Sequence, residues 1–148
     1  MTYESTVRVE LKTAPGVELT LRRMSFSRRL ELTTALKDLL GRIEFAAAGK
    51  ASVVQEAEVA LLRGQVDREY VRWGVAAVEG LAVDGEPADV QVLLDQGPEE
   101  LVRETVELVR REAGLSEEER KNSESHSTIV AETRPGGNAT NAAKPAWN

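Results

Sequence analysis

The chain holds one histidine, twenty-five carboxylates and no cysteine, and that inventory limits the chemistry it can run. His126 lies in Ser-Glu-Ser-His-Ser-Thr, far from any periodic segment. General acid–base catalysis needs a titrating group held near its substrate by a rigid frame. Nothing around His126 supplies one. The lack of cysteine removes a thiolate nucleophile, a disulfide framework, a thiolate metal site and an iron–sulfur cluster. Carboxylate groupings such as Glu56 with Glu58, or Glu117 to Glu119, read as solvated helix-surface charges or acids at the positive end of a helix dipole. A hard cation needs several oxygens converging from one loop, and no Asp-rich loop has that spacing. Neither Gly-x-x-x-x-Gly-Lys-Ser/Thr nor Gly-x-Gly-x-x-Gly occurs. Gly136-Gly137 follows no strand, and the glycosylation triplet Asn138-Ala139-Thr140 comes without a secretion signal. The residues therefore predict no catalytic group, no metal and no cofactor. An enzyme would have to run on carboxylates, Lys, Tyr or Ser, and no such constellation is visible.

Binding groups are the remaining candidates. Arg22, Arg23, Arg28 and Arg29 form the one basic cluster. They read either as a docking patch for an acidic partner or as apolar stems covering a sheet edge with hydrated heads. Tyr70 and Trp73 are three residues apart on one helix and are expected to point the same way. In a chain with only 4% aromatic residues, that pair anchors either the core or a partner. Trp147, in Lys-Pro-Ala-Trp-Asn, is an isolated aromatic with a weaker claim to docking.

A net charge of −6 bounds the partners. Glu124, Glu132, Arg134 and Lys144 cancel in the last stretch, so the excess acid sits on residues 1–121. Nucleic acid and anionic membranes call for clustered cations over a wide face, so neither is an expected partner. The start Met-Thr-Tyr-Glu-Ser-Thr-Val-Arg has no basic region followed by an apolar run, and no apolar stretch reaches the roughly 18 residues of a membrane span. At 148 residues the length suits one compact domain over 1–121 and a low-complexity tail over 122–148, where Ser, Thr, Asn, Ala, Gly and Pro replace periodic segments and predict disorder.

The positioning elements follow from hydrophobic period. Val7, Val9 and Leu11 alternate with polar residues, as do Val17, Leu19 and Leu21, with Thr13-Ala14-Pro15-Gly16 between them. That is a β-hairpin over about 5–23 with one apolar face. Ser25 or Ser27 caps a helix over 26–48 carrying Leu32, Leu36, Leu39, Leu40 and Ile43, with Gly49 as a left-handed stop. Ser52 and Gln55 propose a capping box for a helix over 52–73 with Val54, Ala57, Leu61, Leu62, Val66, Tyr70 and Trp73, ended by Gly74. The short connection makes the two helices antiparallel neighbours. Val75 to Val83 reads as a short strand or an irregular loop before the Asp84-Gly85 turn. Helices over 87–95 and 98–113 follow, the second with Pro98 at its first position, then Gly114 and a capping box at Ser116–Glu119 opening a last turn over 116–121. The expected fold is α+β, mainly helical: an N-terminal β-hairpin packed on a small antiparallel helix bundle, with a disordered C-terminal tail.

Ordered landmarks carry a resemblance. Leu21-Arg22-Arg23-Met24-Ser25-Phe26-Ser27-Arg28-Arg29 is followed by Ile43-Glu44-Phe45 and by Asp67-Arg68-Glu69-Tyr70-Val71-Arg72-Trp73-Gly74. Then come Val78-Glu79-Gly80-Leu81-Ala82-Val83-Asp84-Gly85-Glu86-Pro87, Gly97-Pro98-Glu99-Glu100-Leu101 and Gly114-Leu115-Ser116-Glu117-Glu118-Glu119-Arg120-Lys121-Asn122. In order and spacing, over about residues 17–122, these resemble the tail assembly chaperones of siphovirus-type phages. The resemblance implies a non-enzymatic protein of the host cytoplasm. It would bind the tape measure protein transiently, keep it soluble while tail tube subunits assemble, and be absent from the finished virion. It makes the tape measure protein the expected partner and the major tail tube protein a second candidate, with oligomeric state open. It carries no catalytic residues. A structural tail or connector subunit is the alternative in the same setting.

Overall fold

The computed structural model describes residues 1–114. Two strands, β1 (Thr6–Glu10) and β2 (Glu18–Arg22), pair antiparallel with Val7 opposite Leu21 and Val9 opposite Leu19. The intervening turn closes with Gly16 in the left-handed region at φ 90°. Its N–H donates to Glu10 Oε1 at 2.7 Å. The period-two pattern holds: Leu19 and Leu21 are buried, and Glu18, Thr20 and Arg22 only half so.

The hairpin is not two-stranded. Val75–Glu79 forms β3 and pairs antiparallel with β2, so β2 is the central strand of a sheet ordered β1-β2-β3. This settles the segment left between strand and loop. Its apolar run lacks alternation, and only a partner 54 to 61 positions upstream makes it extended. After a turn at Gly80, β4 (Ala82–Val83) and β5 (Glu86–Pro87) make a small ribbon. Asp84 and Gly85 link them with positive φ at both positions, the signature of a type I′ hairpin.

Four helices complete the described region: α1 (Phe26–Ala47), α2 (Val53–Gly74), α3 (Val90–Gln96) and α4 (Glu99–Glu112). Ser25 caps α1 by accepting from the Arg28 N–H, and Ser52 caps α2 by accepting from the Gln55 N–H. Gly49 is not a left-handed stop. α1 ends through Ala48 in right-handed geometry, and its last carbonyls are met from outside. The Gln55 amide does this, donating to the carbonyls of Ala46 and Gly49 instead of reaching back as a capping box would. Pro87 belongs to β5, so α3 begins three residues later than the spacing suggested, capped by Asp89. Pro98 stands at the cap of α4 and Glu99 is its first helical residue. The turn expected at Ser116–Glu119 and the low-complexity stretch lie outside the described residues.

The core is formed where α2 and α4 lie together on the sheet. It joins Leu11, Leu19 and Leu21 to Tyr70, Val71, Leu93 and Val109. Gly74 permits the closest approach in this layer: a Cβ there would stand 2.3 Å from a methyl carbon of Val109. The architecture is thus α+β and mainly helical, as the sequence predicts, with a third strand added to the hairpin and a separate two-stranded ribbon.

Candidate partner-binding surfaces

The four arginines do not converge on one patch. Arg22 Nη1 donates to the carbonyls of Trp73 and Val75 at 3.0 and 2.8 Å, closing the C-terminal end of α2. Arg29 Nη2 reaches the Ala113 carbonyl at 3.4 Å, and Arg23 Nε lies 3.8 Å from Glu112, both at the end of α4. Cations at the negative end of a helix dipole are favourable. Three of the four therefore serve helix termini. Among the described residues Arg28 meets no helix end; its Nη1, like Arg23 Nε, is shielded from water and meets no hydrogen-bond partner.

Tyr70 and Trp73 part company although they share a helix. Tyr70 is buried in the core with the Arg110 guanidinium 5.1 Å from its ring centre. Arg110 also holds Asp67 at 2.6 Å. Trp73 is half-buried and lines a 460 Å³ cavity with Arg28, Glu31 and Arg72. Tyr70 thus takes the core role of the two weighed, and only Trp73 faces an opening.

A surface that sequence reasoning missed runs along α2. A 650 Å³ trough is lined by Ala60, Gly64 and Asp67 of α2, by Leu94, and by Val102 and Val106 of α4. A second hollow of 360 Å³ continues it toward the helix connection, lined by Ala47, Gln55 and Val59, and the two share Ala60 and Arg63. The floor is made of small residues, and a Cβ on Gly64 would meet nothing within 4 Å. Small residues at i and i+4 let another backbone come close, so Ala60-x-x-x-Gly64 was the available signal.

Between residues 37 and 61 no side chain is buried, and Leu39, Ile43, Ala46, Gln55 and Val59 are half-covered at the α1–α2 seam. Yet Leu40, Phe45, Val53, Val54 and Leu61 stand exposed there, Phe45 at 85% and Val54 at 78%. The distal halves of α1 and α2 form an arm with apolar residues on its outside. Expectations for Leu40, Val54 and Leu61 as core-facing residues are corrected accordingly, because among the described residues no third layer covers the arm.

Opposite the arm, Glu104 of α4 grips the β1–β2 turn. Its carboxylate accepts from the Lys12 N–H at 2.7 Å, the Thr13 N–H at 3.0 Å and the Thr13 hydroxyl. Burial works against its charge, but these bonds and the Lys12 cation outweigh it, holding the carboxyl below its ordinary value. Among the described residues no cluster of three or more His, Asp or Glu is placed to hold a metal ion. No helix there is long and apolar enough to cross a membrane.

Comparison with protein-family models, with curated proteins and with solved structures finds no match.

Proposed function

We propose that this chain is a phage tail assembly chaperone that transiently holds a helical segment of the tape measure protein while tail tube subunits assemble. Two things support the reading: the ordered landmarks over residues 17–122, and a trough suited to a helix. The trough is the observation that carries it. Its small-residue floor at Ala60 and Gly64 admits a backbone, and its Leu94, Val102 and Val106 side offers apolar contact. Arg63, Arg68, Asp67 and Glu107 set both charge signs around it. An amphipathic helix lays its apolar stripe into such a groove and keeps its polar face in water. The acidic excess of residues 1–121 keeps a loaded complex soluble.

Co-expression with the tape measure protein of the same phage tests this. The tape measure protein is expected to move into the soluble fraction and to co-purify with the chain. Gly64→Leu fills the floor and should abolish that gain while leaving the fold intact. An unchanged insoluble tape measure protein sinks the proposal. Recovery of the chain in many copies from purified virions would instead assign it to the tail structure.

A further inference from the structure

The 460 Å³ cavity beside Trp73 collects cations from three elements. Arg22 at the end of β2, Arg28 in the first turn of α1 and Arg72 in the last turn of α2 share its wall with a single carboxylate, Glu31. Arg22 is fixed in place, and because its bonds to the Trp73 and Val75 carbonyls run through Nη1, Nε and Nη2 are left for a ligand. Arg28 makes no side-chain hydrogen bond or ion pair among the described residues. Its Nη1 is shielded, so Nε and Nη2 are the donors it can offer. Arg72 has Glu69 at 3.8 Å, with the two side chains 44% and 34% exposed. A pair that long and that wet holds its cation weakly.

Further donors surround the same space. The hydroxyls of Ser25 and Ser27 both line it. Ser25 Oγ accepts from the Arg28 N–H, which leaves its own proton to donate. No acid stands in the first turn of α1, so the positive end of that helix dipole adds to the arginines. Trp73, half-buried, supplies an apolar wall beside which charge–charge attraction is less screened than in open water.

We infer that this cavity binds hydrogenphosphate. One carboxylate ligand would be satisfied by one guanidinium fork, whereas a tetrahedral dianion offers four oxygens and can meet several forks and both hydroxyls together. Glu31 decides which dianion fits. An ionised carboxylate can only accept hydrogen bonds. Hydrogenphosphate brings a P–OH to donate to it. Sulfate and the dianion of a phosphate monoester bring acceptors alone, and they meet repulsion at that wall. The one carboxylate among the three arginines is therefore the selective element of the site rather than a flaw in it.

Titration of the isotope-labelled full chain with sodium phosphate at constant ionic strength, followed by NMR at the Trp73 indole N–H, tests this. The expected result is a displacement that saturates in the millimolar range, with sulfate and methyl phosphate binding at least about tenfold more weakly, the loss of one charged hydrogen bond. Arg28→Gln should weaken phosphate by a similar factor, and Glu31→Gln should make phosphate and sulfate bind alike. Unchanged resonances in the sheet show that both variants fold. A response to phosphate that never saturates overturns the inference. So does sulfate binding the unaltered chain as tightly as phosphate, which would mark an adventitious ion only. Tighter binding of methyl phosphate would assign the cavity to phosphorylated chains instead. Affinity indifferent to Arg28→Gln, or a preference for phosphate that survives Glu31→Gln, likewise sinks it.

Discussion

Within one helix pair the two halves meet opposite fates. Near the sheet, Leu32 and Leu36 of α1 and Leu62, Val66, Tyr70 and Val71 of α2 are buried. Toward the connection, Leu40, Phe45, Val54 and Leu61 belong to the same residue classes and stand in solvent. Helix-forming tendency is not what separates them. Each helix is continuous over 22 residues, and the difference is the presence of a third layer. At the base, β2 and α4 complete the packing of α2; along the arm, among the described residues, the two helices have only each other. Burial energy therefore concentrates at one end, and the exposed apolar groups at the other remain available to partners.

The largest test of that division is truncation at matched residues. Leu19→Ala, at the centre of the sheet, should cost about 2–5 kcal/mol, whereas Phe45→Ala on the arm should stay within about 0.5 kcal/mol. Urea denaturation read by circular dichroism measures both. Similar losses at the two positions would erase the distinction between base and arm.

Glycines of α2 sharpen it further. Gly74→Ala drives a methyl into Val109 and should destabilise by about 1–3 kcal/mol. Gly64→Ala enters open space within a helix and should stabilise by about 0.5–1 kcal/mol. Opposite signs from one substitution ten residues apart are the expected outcome in thermal melts.

Between these in size lies the Glu104 grip on the turn. Glu104→Gln removes the charge behind three hydrogen bonds and should cost about 1 kcal/mol, since an exposed carboxylate is well screened. A lowered carboxyl pKa stabilises the fold above the ordinary value of 4.5. That contribution fades as pH falls through the folded-state value. The wild-type chain should lose more stability than Glu104→Gln on acidification below about pH 4.5. Parallel pH profiles would remove Glu104 as the cause.

Local chemistry made much of this fold legible. Alternation marked β1 and β2, Ser25 and Ser52 marked two helix starts, and Leu101, Thr105, Val106 and Val109 marked the buried face of α4. Gly114 follows α4 as the stop expected of it, in the left-handed region at φ 74°. What escaped depends on distant partners. β3 is a strand because β2 is beside it, and Glu104 meets Thr13 across most of the chain. Asp89 offered a cap signal that Pro87 obscured. At the candidate sites, four neighbouring arginines in sequence suggested one patch, but helix ends claimed three of them. Core-facing and partner-facing stripes share one periodicity, so only packing could tell Leu61 from Leu62. The small floor at Ala60 and Gly64 was written in the sequence and was overshadowed by the aromatics nearby.

The strand order also sets a schedule for synthesis. β2 emerges from the ribosome early, yet half of its ladder waits for β3, which pairs Thr20 with Ala77. Between them the nascent chain makes α1 and α2, whose contacts are local and close quickly. The helical arm is therefore the first part able to fold, and the sheet can be completed only after its last strand has been translated.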